Sequence, residues 1–393
     1  MPICNSGLSR HTSMRIVVAP DSFKESLSAL EAARAIAEGI RRACPDAEVV
    51  ELPMADGGEG TVEALVQATG GRIVACIVTG PLGAPIDAFY GVLGDGETAV
   101  VETAAASGLQ CIPREQRDPR ITTTRGTGEL IRHAMSAGAR KLIVGLGGSG
   151  TNDLGAGMAQ ALGYQLLDAR GDALAAGGGA LARLHRIVAP DDRPWERVEV
   201  RVACDVDNPL TGPRGASHVY GPQKGASPED VDALDAALAH AASIIARDLG
   251  VSIEALPGAG AAGGLGGGVV AFLGARLERG AALMAEACGL EQSIADADLV
   301  FTAEGRLDSQ SLHGKTPVGV AAVSQRHGVP CIALAGALGE GYQGAYAHGI
   351  TAVFSISHGP ATLDQALHHA REHLASTAEA VMRVWSHAAG ENS

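Results

Sequence analysis

The start of the chain alternates short apolar runs with helical patterns, and this alternation constrains the fold more than any other feature. Residues 14–19 form an apolar run that is typical of a strand buried on both faces. Ser28 and Glu31 then have the spacing of a capping box, and apolar residues follow at helical spacing to about Ala43. A second apolar run occupies residues 48–52, and another helical pattern follows it. Two successive strand–loop–helix units predict a doubly wound α/β domain with a parallel sheet.

The end of the chain repeats this pattern. We expect strands at residues 298–302, 330–334 and 352–355. Helices are expected at residues 317–327 and 363–385. Ligands of such sheets bind at the carboxyl ends of the strands, so the loops that follow them are the first places to look for a site.

The middle of the chain differs from both ends. From residue 71 to about 109 the apolar runs are short and alternating, as in a mixed or antiparallel sheet. We therefore predict one discontinuous parallel-sheet domain from residues 14–75 and 288–385, with residues 76–287 inserted as a second α/β domain of mixed sheet. An inserted domain would leave a cleft beside the strand ends. Residues 1–13 are expected to be a disordered extension.

The segment 141–153 carries the strongest functional signal. An apolar run ends in a glycine-rich loop, and the loop ends in hydroxyl, amide and carboxylate side chains. Small residues let backbone N–H groups approach an anion, and a helix predicted at residues 154–162 would direct its N-terminus at the same spot. Asp153 beside a bound phosphate would be repulsive unless a cation lay between them. The segment therefore predicts a site for a metal–nucleotide.

A dinucleotide-binding interpretation competes with this one. Gly145, Gly147 and Gly150 match the G-x-G-x-x-G pattern, and Asp168 stands about where a ribose-binding acid belongs. Against this interpretation, Asp153 would fall in the first turn of the helix, where a dinucleotide pyrophosphate has no metal to shield it. A simple tight turn or a close helix contact also explains any one glycine cluster.

A second candidate phosphate segment occupies residues 309–316. Gly314, Lys315 and Thr316 have the order of a P-loop, but Ser309 stands where its first glycine should be, so a standard P-loop is not expected. The glycine-rich loops also supply the cations that an anionic ligand needs. These are Lys24, Arg125, Arg214, Lys224, Arg306 and Lys315.

The composition excludes several classes of function. A formal net charge of −14 argues against a nucleic acid or an anionic membrane as the main partner. The 7 cysteines are scattered without paired zinc spacing, which favours a reducing compartment. No apolar run reaches the length of a membrane span, and residues 1–13 lack the apolar core of a secretory signal. We expect a cytoplasmic protein.

Acidic residues accumulate at the predicted strand ends. Any one of them alone is better explained as a cap or a turn residue, and Arg306 with Asp308 could form a structural ion pair. Together they suit metal binding, phosphate clamping and one general base. The acids are Asp21, Asp56, Glu59, Glu102, Asp153, Asp205, Asp207, Glu304 and Asp308. No H-E-x-x-H or G-x-S-x-G pattern is present, which argues against a zinc protease and a serine hydrolase.

These residues belong to a series of long, ordered motifs. The motifs are residues 19–26, 54–61, 123–130, 147–153, 204–210, 220–225, 258–263 and 304–308. In them the chain resembles the glycerate kinases of the bacterial type-1 class, and the resemblance runs from Met14 to about residue 380. Two features depart from that family: Ala303 replaces a usual glycine, and residues 1–13 have no counterpart.

The resemblance implies transfer of the γ-phosphoryl group of ATP to D-glycerate with Mg²⁺, with 2-phosphoglycerate favoured as the product. It also implies a flavodoxin-like domain built from both chain ends. We expect in-line transfer in the cleft between the domains, which requires positioning, charge neutralisation and a base near the attacking hydroxyl. The expected partner is the small-molecule substrate, without nucleic acid or membrane, in a possible homo-oligomer.

On this hypothesis the site residues fall into four roles. Catalysis is assigned to Lys24, Asp205, Asp207 and Arg306. Substrate binding is assigned to Asp21, Ser22, Asp56, Gly57, Arg125, Glu304 and Asp308. Nucleotide binding is assigned to Gly147, Gly148, Ser149, Gly150, Thr151, Asn152 and Lys315. Metal binding is assigned to Asp153 and Asp205.

Several of these roles have alternatives. Lys24 would neutralise the transferred charge together with Lys315. Asp205 and the neighbouring Asp207 would hold Mg²⁺ or accept the hydroxyl proton, and Arg125 or Arg306 would bind the glycerate carboxylate as a planar fork. Two other functions compete with the kinase: an NAD-dependent dehydrogenase of a small hydroxy acid, and a non-enzymatic small-molecule binding protein.

Overall fold

The chain folds into two compact units. The computed structural model describes residues 14–55, 57–312 and 316–390. Unit 1 contains the chain up to Met54 and from Gly289 onward, and unit 2 is Ala55–Cys288. The extension predicted at residues 1–13 lies outside the described residues.

The strands of the two units are numbered in chain order. They are β1 (Arg15–Val18), β2 (Glu48–Glu51), β3 (Arg72–Thr79), β4 (Pro85–Val92), β5 (Thr98–Glu102), β6 (Lys141–Gly145), β7 (Gln165–Leu167), β8 (Arg186–Val188), β9 (Glu199–Ala203), β10 (Arg276–Glu278), β11 (Leu299–Leu307), β12 (Cys331–Leu338) and β13 (Ala352–Ser355).

The α-helices are numbered in the same way. They are α1 (Ala29–Ala43), α2 (Thr61–Thr69), α3 (Thr103–Ser107), α4 (Arg125–Ser136), α5 (Ala156–Ala161), α6 (Ala216–Tyr220), α7 (Pro228–Leu249), α8 (Leu265–Leu273), α9 (Gly280–Ala287), α10 (Leu290–Ala295), α11 (Thr316–His327), α12 (Leu363–His368) and α13 (Ala370–Gly390). Within the described residues, no helix is both long enough and apolar enough to cross a membrane.

Unit 1 is built on a five-stranded sheet in the order β13-β12-β11-β1-β2, and all its neighbouring strands are parallel. Numbered within the unit, this is the order 2-1-3-4-5 of the flavodoxin-like fold, whose switch point lies between the first and third strands. Ser28 caps α1 in the predicted capping box with Glu31, and α1 packs against α13. The buried core includes Ile16 on β1 and Phe301 on β11. The predicted parallel-sheet fold is confirmed.

Unit 2 is built on a mixed six-stranded sheet in the order β10-β9-β6-β5-β4-β3. Strands β5, β6, β9 and β10 are parallel, whereas β4 runs antiparallel to both β3 and β5. Strands β7 and β8 form a separate antiparallel pair. The mixed sheet predicted for the middle of the chain is therefore present.

The first boundary between the units lies at Met54, whereas the sequence placed it at residue 75. The intervening α2 and β3 belong to unit 2, because β3 pairs with β4 along its length and α2 packs against the same sheet. Gly91 on β4 has no side chain where Val62 and Val66 of α2 approach. The strand–loop–helix pattern thus continues past a boundary that only long-range packing defines.

Strand β11 is longer than its apolar core suggested. It was predicted at residues 298–302 but extends to Leu307, because residues past Thr302 continue to pair with β12. Glu304 and Arg306 therefore lie on a strand rather than in the loop after it. This extension places both side chains at the carboxyl end of the central part of the unit 1 sheet.

Candidate functional site

The glycine-rich loop follows β6 in the parallel part of the unit 2 sheet. Gly145, the last residue of β6, lies opposite Glu102 of β5 on one side and Ala203 of β9 on the other. The carboxyl ends of three parallel strands therefore meet at one edge. The loop from 146 to 155, the acids after β9 and the start of α3 all leave the sheet there.

The helix after the loop begins later than predicted. It was expected at residues 154–162 but spans Ala156–Ala161, because Leu154 and Gly155 have left-handed backbones with φ of 56° and 74°. A leucine in this region is unusual and strained, since its Cβ crowds the backbone. The helix has only six residues, so its N-terminus alone supplies a weak anion site.

Asp153 has protein partners on both of its oxygens. Its Oδ2 accepts hydrogen bonds from the backbone N–H and hydroxyl of Thr124 at 2.9 and 3.0 Å, and from the N–H of Gly157 at 3.2 Å. Its Oδ1 accepts from the N–H of Gly155 at 3.2 Å. Burial raises the pKa of Asp153, while these donors favour its charged form. The carboxylate thus joins the starts of α4 and α5, and this arrangement favours a structural role for Asp153 over the metal role assigned to it.

Two loop glycines are required by close packing. A Cβ on Gly147 would lie 2.6 Å from the Cα of Gly58, and a Cβ on Gly150 would lie 2.6 Å from the Cδ1 of Ile112. Their amides are also used inside the protein, since the N–H of Gly147 donates to Gly57 at 3.2 Å and that of Gly150 donates to Ser107 at 2.9 Å. The direct phosphate contact assigned to these two amides is therefore not supported.

Gly148 and Ser149 differ from the glycines beside them. Among the described residues, no acceptor takes a hydrogen bond from the backbone N–H of either one. The carbonyl of Gly148 accepts from the N–H of Leu109 at 2.8 Å. This bond attaches the peptide that joins Gly148 and Ser149 to the segment after α3. These two amides are the loop's available donors for an anion.

Lys224 reaches this loop from a distant part of the chain. Its side chain is buried, with 2% of the residue exposed, and its Nζ donates to Ser149 Oγ at 2.9 Å and to the Thr151 carbonyl at 2.7 Å. Burial lowers the pKa of Lys224 to about 7, and the negative charge of Asp153 opposes this shift. Lys224 was recognised as a local cation but received no site role from the sequence.

Several buried polar atoms around the loop have no hydrogen-bond partner among the described residues. They are the hydroxyls of Thr103 and Thr151 and the amide oxygen of Asn152. The Nδ2 of Asn152 donates to Ser217 Oγ at 3.0 Å, which leaves its oxygen as the unused end. Buried polar groups normally have partners, so these atoms are suited to a polar ligand or its water.

The acids after β9 lie at the same sheet edge. Asp205 and Asp207 are exposed, and Oδ1 of Asp205 accepts from the N–H of Gly280 at 2.9 Å, at the start of α9. Mg²⁺ usually takes one or two carboxylates and fills its other positions with phosphate and water. Both acids fit such a site. No group of three or more His, Cys, Asp or Glu side chains in the described part of the chain is arranged to hold a metal by itself.

Glu102 is a functional candidate that received no site role from the sequence. It ends β5 with 3% of the residue exposed, and its Oε1 accepts from the N–H of Val62 at 2.6 Å. Burial raises the pKa of Glu102 to about 7. Through Val62 it fixes the start of α2 and hence the preceding loop, whose Gly57 packs against Ala203.

Arg125 begins α4 in unit 2. Its side chain is 45% exposed and its Nε lies 3.2 Å from Oε1 of Glu129. The same Oε1 accepts from the hydroxyl of Thr79, and Oε2 of Glu129 accepts from the N–H of Thr79. The guanidinium therefore has one carboxylate partner already. Its exposed fraction still leaves donors for a ligand carboxylate.

The remaining predicted side chains meet at the switch point of unit 1. Asp21 and Lys24 follow β1, and the N–H of Asp21 donates to the Ala303 carbonyl of β11 at 2.7 Å. Gly305 on β11 faces the backbone of Phe23 and Lys24 closely enough that a Cβ there would lie 3.5 Å from Cα of Phe23. The loop carrying Asp21, Ser22 and Lys24 thus lies against the strand that carries Glu304 and Arg306.

Within this unit 1 group, charged side chains already interact. Arg306 is 67% exposed and its Nε donates to Oδ2 of Asp308 at 3.0 Å, which is the structural ion pair that the sequence allowed. Glu304 is buried, whereas Lys24 is exposed. Asp56 and Lys315, also predicted as site residues, lie outside the described residues.

The family model described as the glycerate kinase family matches residues 16–386. The chain belongs to the glycerate kinase family. A glycerate kinase of Bacillus subtilis (strain 168) is 54% identical over 366 residues, which is 93% of this chain and 96% of that protein. A glycerate 2-kinase of Escherichia coli (strain K12) is 51% identical over 362 residues, covering 92% of this chain and 95% of that one.

A solved structure agrees with this family membership. The crystal structure of a Salmonella typhimurium LT2 protein described as a glycerate kinase 2 has a TM-score of 0.86 and 52% identity, over 96% of this chain and 99% of that chain. The chain is thus an enzyme of a kinase family. The predicted family is confirmed, and the dehydrogenase and binding-protein alternatives lose their support.

Proposed function

We propose that this member of the glycerate kinase family transfers the γ-phosphoryl group of ATP to D-glycerate, with Mg²⁺, and forms 2-phosphoglycerate. The family and the name of the Escherichia coli relative support the substrate and the position of transfer. The observation that carries the nucleotide part is the loop after β6, where buried Lys224 bonds to Ser149 and Thr151. Cytoplasmic location and a homo-oligomeric state remain predictions from the sequence.

The nucleotide phosphates are assigned to the middle of the glycine-rich loop. The amides of Gly148 and Ser149 would donate to phosphate oxygens, and the unpartnered hydroxyl of Thr151 would donate to another. The amide side chain of Asn152 would hold a bound water or a nucleotide hydroxyl. Gly147 and Gly150 serve this site by allowing the close packing that shapes the loop.

Mg²⁺ would neutralise the charge that develops on the phosphates during transfer. Asp205 and Asp207 are assigned to hold it, because both are exposed carboxylates at the carboxyl end of β9. Asp153 is not included, since its two oxygens accept from four protein donors. One of Asp205 and Asp207 would instead accept the hydroxyl proton if the other alone holds the metal.

The cations of the predicted site are assigned to the two anionic groups of the reaction. Lys24 would interact with the transferring phosphoryl group, since its ammonium is exposed and flexible. Arg306 or Arg125 would bind the glycerate carboxylate through a planar fork, although each already has one acidic neighbour. Asp21, Ser22 and Glu304 at the unit 1 switch point would contact the hydroxyl groups of glycerate.

The direct test is ADP release with D-glycerate, ATP and Mg²⁺. We expect release that requires all three, with L-glycerate and glycerol as controls for stereochemistry and for the carboxylate. Phosphorus NMR at early times should show 2-phosphoglycerate. Equal ADP release without glycerate would reveal a plain ATPase, and an early 3-phosphoglycerate signal would overturn the position of transfer.

A further inference from the structure

Lys224 is held in place by its backbone. It ends a single 3₁₀ turn, Pro222–Lys224, and is followed by Gly225. A Cβ on Gly225 would overlap the carbonyl oxygen of Arg117, so the chain passes this point only as glycine. The turn thus fixes the backbone of Lys224, and its side chain extends from there to the glycine-rich loop.

The environment of the Lys224 ammonium is unusual for a buried charge. Its two partners, Ser149 Oγ and the Thr151 carbonyl, are neutral. No carboxylate of the described residues lies within the 4.0 Å of an ion pair to its Nζ. An ammonium has three donors, and burying it costs several kcal/mol, which the attraction of Asp153 from beyond ion-pair distance offsets only in part. An apolar side chain of the same length would fill this space at lower cost, so packing alone does not account for a lysine here.

The two partners of Lys224 bracket the segment that has unused polar groups. Ser149 has an unused backbone N–H, and Thr151 has an unused hydroxyl. A second contact ties the same segments together, because Asn152 Nδ2 donates to Ser217 Oγ at 3.0 Å. Residues 217–224 thus hold loop residues 149–152 at two points. The lysine fixes the loop and also adds positive charge beside it.

We propose that Lys224 is a positioning residue for the nucleotide: its ammonium holds Ser149 and Thr151 in the arrangement in which this loop receives phosphate. The proposal has two steps, and only the second rests on the proposed kinase function. The first step is that the loop is ordered by Lys224 in the free protein. The second is that nucleotide affinity, rather than glycerate affinity, depends on this order.

The first step is tested on the free protein by hydrogen exchange. Lys224→Met keeps the length of the side chain but removes the donors and the charge. We expect the amides of residues 147–154 to exchange faster in this variant, with unchanged exchange in the unit 1 sheet. Arg214→Met is the matched control, since Arg214 is an exposed cation in the same region. Unchanged exchange of the loop in folded Lys224→Met overturns the proposal, whether or not the protein phosphorylates glycerate.

The second step is tested by nucleotide binding and kinetics. We expect Lys224→Met to weaken Mg–ADP binding and to raise KM for ATP by roughly 10- to 100-fold, as for loss of a charge-assisted hydrogen bond. KM for D-glycerate should change less than about threefold, and Ser149→Ala should add little in the Lys224→Met background because both remove the same contact. Equal losses for both substrates, or additive losses, would contradict the positioning role.

A shorter variant keeps the test valid if Lys224→Met does not fold. Lys224→Gln retains two donors and no charge, and should give intermediate loop exchange and intermediate nucleotide affinity. A wild-type protein that binds no nucleotide would refute the proposed function, while the exchange experiment would still decide whether Lys224 orders the loop.

Discussion

Glu102 links a buried proton to the stability of unit 2. Its pKa is raised by burial to about 7 from an ordinary value of 4.5, so the folded state holds a proton that the unfolded state releases. The contribution of Glu102 to the free energy of unfolding is largest below pH 4.5. It falls as the pH rises toward 7 and is constant above that. The loss amounts to roughly 3 kcal/mol at about 1.4 kcal/mol per pH unit.

Glu102→Gln should remove this pH dependence, because glutamine does not titrate and can still accept from the N–H of Val62. We expect the free energy of unfolding of the variant to rise relative to the wild type between pH 5 and pH 8. Urea unfolding followed by Trp195, buried in unit 2, measures it in a Trp385→Phe background. Glu97→Gln, which changes an exposed acid directly before β5, should show the same pH dependence as the wild type. If the difference between Glu102→Gln and the wild type does not change with pH, the raised pKa is contradicted.

Asp153 should behave as a structural acceptor. In Asp153→Asn one oxygen becomes an NH₂ group that faces N–H donors, so we expect a loss of about 1–3 kcal/mol in unfolding free energy. The Mg²⁺ concentration for half-maximal activity should change little. Asp207→Asn is the matched comparison: an exposed acid whose loss should leave stability unchanged and raise the Mg²⁺ requirement. The reverse pattern would restore Asp153 as the metal ligand.

These residues show what a site prediction can take from sequence. The loop after β6 and the acids after β9 were predicted together, because carboxyl ends of parallel strands converge. The metal role predicted for Asp153 stays a prediction, and the four hydrogen bonds that its oxygens accept favour a structural role instead. The sequence could not separate the two roles, because a carboxylate that accepts from backbone and hydroxyl donors has the same sequence context as one that binds a metal. The contact from Lys224 to Ser149 spans 75 residues and leaves no local pattern.

The segment before α2 offers a sharp comparison at the scale of an element. Gly57 and Gly60 have nearly equal left-handed backbones, with φ of 89° and 87°. A Cβ on Gly57 would overlap the Cβ of Ala203, whereas a Cβ on Gly60 would meet nothing within 4 Å. The two positions therefore separate backbone strain from steric overlap.

Gly60→Ala should cost only the left-handed strain, roughly 1–2 kcal/mol. Gly57→Ala should cost roughly 1–3 kcal/mol more because it overpacks the contact with β9. It should also raise KM for ATP, since the Gly57 carbonyl accepts from the N–H of Gly147. Urea unfolding and steady-state kinetics of both variants test these expectations. Equal losses of unfolding free energy and equal KM values for ATP would show that the structure accommodates the added methyl group beside Ala203 without cost.

The bounds of helices and strands that have a clear apolar pattern or cap were predictable from the sequence. The way in which these elements pack together was less predictable. The apolar periodicity and the Ser28–Glu31 capping box gave β1 and α1 nearly at their observed bounds. No local pattern indicated that α2 packs in unit 2, because this packing depends on long-range contacts such as that of Val62 and Val66 with Gly91 on β4. The start of α5 was misplaced because Leu154 adopts a backbone that leucine seldom takes.

At the scale of the whole molecule, nucleotide binding should stabilise the two units unequally. The nucleotide residues assigned here within the described part of the chain belong to unit 2, so Mg–ATP should raise its unfolding transition first. At 100 times the Kd the gain is about 2.7 kcal/mol. Trp195 reports on unit 2 and Trp385 on unit 1, so Trp385→Phe and Trp195→Phe variants follow each unit separately. NADH should shift neither transition, and a shift confined to the Trp385 signal would contradict the assignment.

The central strand of unit 1 has a consequence for how the protein is made. β1 leaves the ribosome long before its neighbour β11, because the two strands lie far apart in the chain: Thr302 bonds to Ala19 across a separation of 283 residues. At 5–20 residues per second this interval lasts on the order of tens of seconds. Unit 2 is translated completely in that time. The nascent chain therefore exposes the apolar faces of β1 and α1 before β11 and α13, which cover them, have been synthesised. This exposed segment is a natural client for a chaperone at the exit tunnel.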